Sequence, residues 1–171
     1  MDVIGFWKLV DDAARNSKGA NRAFLRLIRR DLEKLPPPEL VEFKSRFEEH
    51  MDRAFHWDLW GAASIMRGGC SDDGFEYFRA WLISRGQAVF EAALRNAESL
   101  STQSSDDDFE FEDFIYVAVD VYEKKTGKDL YEELPVRILP GGMDPAGTRW
   151  SDDSDGLERR FPVLWAKFRS R

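Results

Sequence analysis

Apolar side chains recur at three- and four-residue spacing through most of the chain, and that spacing fits α-helices better than strands. Over residues 2–15, Val3, Phe6, Trp7, Val10 and Ala14 fall on one helical face, and Asp2 stands where an N-cap carboxylate belongs. A polar turn at 16–21 leads to a second helix over 20–34, with Phe24, Leu27, Ile28 and Leu32 together. Pro36, Pro37 and Pro38 stop it, because proline carries no N–H for the ladder, and the last of them can open the next helix. That third helix, 38–55, carries Leu40, Phe43, Phe47, Met51, Ala54 and Phe55 on its apolar stripe. Residues 57–66 read as a short helix with a small-residue face at Gly61–Ser64. A further helix is predicted around Phe75, Phe78, Trp81 and Leu82, punctuated by Gly86 and continued by Val89, Phe90, Ala93 and Leu94.

The second half is less regular. Residues 99–108 are rich in Ser and Asp, and read as an exposed, flexible acidic linker with only Leu100 to bury. A helix over 110–125 follows, and Gly127 sits where a C-terminal cap glycine belongs. Residues 135–156 are irregular and rich in Pro and Gly; 136–139 have the composition of a short strand, with no second strand in view. A last helix is expected near Pro162. The resulting expectation is a mainly α, single-domain orthogonal bundle of six to eight helices over 1–171, with at most a minor β element.

Composition agrees with a folded domain. The chain is 43% hydrophobic, with six Trp and 13 Phe, and each buried ring removes about 150–250 Å² from water. The net charge of −7 argues against nucleic acid and against an anionic membrane, since both are bound through Lys and Arg. No apolar run reaches the ~20 residues that span a bilayer. The start of the chain lacks a secretory pattern, and the single cysteine, Cys70, allows no intrachain disulfide; a cytoplasmic location is the expectation.

The most unusual segment is RGGCSDDGFEYFRAW, residues 67–81. Gly68 and Gly69 permit backbone angles that other residues resist, and a helix start offers free N–H groups to an anion. A cysteine beside a helix start can also be acidified. The plainer reading is two helix caps in succession, with Asp73 and Glu76 as a capping box. Trp57 and Trp60, one turn apart, can form an aromatic ligand wall or pack in the core. The candidate ligand-binding residues are therefore Trp57, Trp60, Arg67, Gly68, Gly69, Cys70, Asp72 and Asp73.

Specific enzyme templates fail. A Cys-x5-Arg phosphatase loop needs Arg where Glu76 stands, and no P-loop string occurs. A Cys–His pair has only His50 and His56 to draw on. The run SDDSDG at 151–156 has part of a calcium-loop spacing, but Ser151 and Pro162 occupy the two positions that most need carboxylates. The acidic residues Asp106, Asp107, Asp108, Glu110, Glu112 and Asp113 read as a solvated linker at a helix start. No cofactor, metal site or catalytic set is predicted.

The block HWDLWGAASIMRGGCSDDGFEYFRAWLISRGQAVFEAAL, residues 56–94, resembles the domain of unknown function 4240, a bacterial family. Phe6-Trp7, the Phe43 helix, the acidic linker with its Tyr-containing helix, and the closing FPVLWAKF also fit that pattern, so the likeness is read as spanning nearly the whole chain. The resemblance implies a compact bacterial cytoplasmic domain and assigns no reaction or functional residues. Two functions remain open. One is a non-enzymatic interaction or regulatory module, docking a protein with a basic surface on the acidic linker. The other is a small enzyme or ligand-binding protein centred on 57–74. A pocket joining a Trp, Asp72 and an Arg favours the second; a filled core favours the first.

Overall fold

Asp2 opens the first helix, α1 (Val3–Ser17), by accepting the Gly5 N–H at 2.7 Å. Phe6, Trp7 and Val10 then point inward, as their spacing requires. A computed structural model describes residues 1–135, 144–153 and 155–169. The segment 136–139, expected as a strand, lies outside the described residues. After α1 come α2 (Asn21–Leu32) and α3 (Pro37–Arg53), the latter beginning one proline earlier than the sequence suggests. Next are α4 (Trp57–Arg67), α5 (Asp72–Ser84) and α6 (Gln87–Arg95). A 3-10 helix, Ala97–Thr102, precedes α7 (Glu112–Thr126), and a second, Leu130–Glu133, follows it. α8 (Gly156–Arg160) and α9 (Pro162–Phe168) complete the described chain.

The protein is mainly α-helical, with eight described helices of seven residues or more. Among the described residues there is no strand. A single bridge joins His56 to Ala146, with Ala146 N–H donating to the Phe55 carbonyl and Trp57 N–H donating to the Ala146 carbonyl. No described helix is long and apolar enough to cross a membrane.

α7 has apolar residues around most of its circumference, including Phe114, Val117, Ala118 and Val121, and so must be surrounded. It packs against α2, α3 and α5. α1 lies against α2, and α4 against α9, where Gly61 leaves room for the Phe161 ring. One continuous apolar core joins these contacts. Gly127 closes α7 in the left-handed conformation with φ 68°, as expected of a terminal glycine.

The 99–108 stretch is docked at both ends. Leu100 is fully buried, and the Lys167 ammonium donates to the Ser101 and Gln103 carbonyls. The Glu98 carboxylate accepts the Val163 and Leu164 N–H groups and caps α9 from a distance in sequence. Such long-range anchors leave no local pattern.

Candidate functional site

α4 places Trp57 and Trp60 on one face, with centroids 5.3 Å apart and planes 12° apart. The other face of Trp60 lies on Phe75 of α5, at 4.8 Å. Trp57 is covered in turn by the Trp150 ring, at 5.6 Å and near a right angle, and by the Arg149 guanidinium at 5.3 Å. The indole N–H of Trp60 donates to the Cys70 carbonyl at 3.0 Å. The two tryptophans thus form part of a filled stack, with protein groups where an aromatic ligand wall would receive its ligand.

The glycine loop is tied down by its own helix ends. Gly68 closes α4 with φ 76°, and both Gly68 and Gly69 donate to the Ser64 carbonyl. Ser71, and not Asp73, caps α5: its hydroxyl accepts the Gly74 N–H at 3.2 Å. The expected Asp73–Glu76 capping box is therefore not formed. Because the helix starts at Asp72, Gly74 holds the third position and no Glu is there to reciprocate. Asp72 and Asp73 are exposed in the first turn, where negative charge suits the helix dipole.

Arg67 locks the loop. It donates to the Gly74 carbonyl at 2.7 Å, approaches the Cys70 sulfur at 3.7 Å, and pairs with Glu110. A side chain at Gly74 would run into that guanidinium. Burial pushes the Cys70 thiol above its usual range, and the nearby Arg67 only partly opposes this. The thiol is therefore not activated as a nucleophile. Of the two histidines, His50 is sealed in the core, and His56 caps α4 by accepting the Asp58 N–H at 3.1 Å.

Arg67 also links the loop to the acidic segment that precedes α7. Here Asp107 is the anchor: Trp81 donates to it at 3.0 Å and Arg85 at 3.3 Å. Arg85 further donates to the Gly19 carbonyl at 2.9 Å and to Asn21 at 2.6 Å. Burial lowers the basicity of the Arg85 guanidinium, and the Asp107 carboxylate opposes that shift. Phe109 adopts φ +55° and buries its ring edge-on against Trp81 and Phe168. Phe111 N–H donates to the Tyr77 carbonyl, and Asn21 donates to the Glu110 carbonyl.

Held this way, the segment forms a seam with a cleft on each side. On one side a cleft of about 330 Å³ runs between Asn21, Arg22 and Leu25 of α2 and the residues Asp108, Glu110 and Asp113. On the other, an open cleft of about 320 Å³ is lined by Met66, Arg67, Asp107, Asp108, Phe109 and Glu110. Among the described residues, no three His, Cys, Asp or Glu side chains are grouped to hold a metal ion. In the 151–156 run, the Asp153 and Asp155 carboxylates are both paired with Arg159.

The predicted residues Arg67, Gly68, Gly69 and Cys70 do come together beside the filled Trp57–Trp60–Phe75 stack, with Gly68 and Gly69 exposed. The seam's anchors were not singled out as candidates from the sequence. Their signal is contact between residues far apart, such as Asn21 with Glu110. A family model described as a protein of unknown function, DUF4240, matches residues 1–124. The chain belongs to the DUF4240 family. The DUF4240 match ends within α7, so the closing FPVLWAKF, read from the sequence as part of the resemblance, lies beyond it. It does include the glycine loop, Arg85 and the whole acidic seam. No curated protein and no solved structure matches the DUF4240 chain.

Proposed function

We propose that this DUF4240 protein is a non-catalytic interaction module of the bacterial cytoplasm, and that its acidic seam docks a protein with a basic surface. The observation that carries this reading is the pair of clefts flanking residues 107–113. Carboxylates line both, and Asp108, Glu112 and Asp113 are exposed along them. Complementary charge steers encounter and fixes register, and a ridge rigidly held by Arg85 and Trp81 presents its charges without loss of chain entropy. The rival reading, a ligand or enzyme site at 57–74, is weakened by the Trp57–Trp60–Phe75 stack, which fills the space such a ligand needs.

The test is calorimetric titration with a short arginine- and lysine-rich peptide. Binding should weaken steeply between about 0.05 and 0.5 M salt. It should be lost in the variant Asp108→Asn, Glu110→Gln, Glu112→Gln, Asp113→Asn. Equal binding by that variant would refute the seam as the docking surface.

A further inference from the structure

His50 lies in the last turn of α3, on its buried face, and is enclosed by rings from two other helices. Phe6 and Trp7 of α1 approach it at 5.0 and 4.6 Å, and Phe90 of α6 stands edge-on at 5.3 Å. The residue is 3% exposed. Its Nδ1 faces Arg53 Nη1 at 3.3 Å. A guanidinium only donates, so Nδ1 must accept, and the neutral ring carries its proton on Nε2. That Nε2 and the indole N–H of Trp7 are both buried without a hydrogen-bond partner among the described residues.

The charges around the ring divide, Arg53 and Arg46 opposing a second proton and Glu91 and Glu49 favouring it, so burial decides. On α3 they are Arg53, Glu49 and Arg46; on α6 the charge is Glu91. Arg46 is spent on Glu49, and Arg53 is held by Glu91 through two bonds of 2.8 and 3.0 Å. From α1 the ring meets aromatic carbon and an indole donor, with no carboxylate in contact. Protonation at Nδ1 would set one N–H donor against another, with like charges, inside an apolar cage. The ring can accept the proton only by reaching water, and the helices that stand in its way are α1 and α6.

We propose that His50 is an acid-sensitive latch: proton uptake releases α1 and α6 from α3 while the α7-centred core stays folded. Burial pushes the His50 imidazole down to about 4 from its ordinary 6.5, with Arg53 acting in the same direction. The sign follows. The closed form is fully favoured above pH 6.5 and loses that advantage as pH falls from 6.5 to 4, because only the open form binds the proton.

Hydrogen exchange on the full chain, corrected for intrinsic rates, tests this. Between about pH 7.5 and pH 5 the opening constant of α1 amides should rise about 30-fold, which is one proton taken up over that range. At the lower pH α1 and α6 should open more readily than α7. His50→Phe, which cannot titrate, should abolish the rise. Arg53→Met, which removes the facing cation, should reduce the rise but leave most of it, because burial is the larger cause; His50→Leu is a second non-titrating variant should His50→Phe fail to fold. The proposal is overturned if α1 and α7 open together at pH 5, or if the rise survives in a variant that lacks the imidazole.

Discussion

The glycine loop at 68–74 and the acidic seam at 107–113 look alike as sequence, since both are short, polar and rich in Asp. They are built in opposite ways. The loop is stabilised by neighbours: Ser71 caps Gly74, Ser64 accepts from Gly68 and Gly69, and Trp60 reaches Cys70. The seam is held by groups far off in the chain, with Asn21 reaching Glu110, Arg67 pairing with Glu110, and Trp81 and Arg85 bonding Asp107. Local ties fix the loop's backbone while Gly68, Gly69, Ser71, Asp72 and Asp73 stay exposed, and the Trp57–Trp60–Phe75 stack fills the space beside it. Distant ties leave the seam standing proud between two clefts. An unusual local string can thus be explained by its own helix ends, while a plain acidic one is shaped by distant partners.

If that contrast is right, one distant anchor should matter more than any residue of the loop. Arg85→Met strips Asp107 of its cation and leaves Gly19 and Asn21 without a donor. Because the pair is largely buried, with 8% and 19% side-chain exposure, the loss should be about 3–5 kcal/mol in urea unfolding. A cost below that of a single cap would erase the distinction. Next in size is the loop's own cap. Ser71→Ala should cost about 0.5–2 kcal/mol, whereas Asp73→Ala should stay within about 0.5 kcal/mol, both by thermal melting. The reverse order would restore Asp73 as the capping residue. The smallest effect belongs to Glu110→Gln. Its carboxylate is 48% exposed, so breaking the pair with Arg67 should cost less than about 1 kcal/mol. A larger loss would show that loop and seam fold as one unit.

Much of the fold is legible in the sequence because helical periodicity is a local signal. The Phe6–Trp7 face, the Asp2 cap and the Gly127 terminus are where their residue types place them. The cap of α5 stands two residues before the Asp73 that the sequence suggests, because Ser71 and Asp73 are both good caps and only the backbone decides between them. Residues 99–108 read as a linker because nothing in Ser- and Asp-rich sequence signals the 3-10 helix or the distant Lys167 that bonds it, although Leu100 is buried as its type suggests. Trp57 and Trp60 were correctly placed on a shared face, but the partners that fill it, Phe75 and Trp150, lie 15 to 93 positions away. The acidic residues themselves are visible in the sequence; what is not is that Trp81 and Arg85 bond Asp107.

The most direct test of the seam's role is an amide chemical-shift map of the protein titrated with the same basic peptide. Shifts concentrated at residues 106–113, at the start of α2 and at Met66–Arg67, and removed by salt, are the predicted result. Shifts centred instead on Trp57, Trp60 and the 68–73 loop, with the seam silent, would contradict the account.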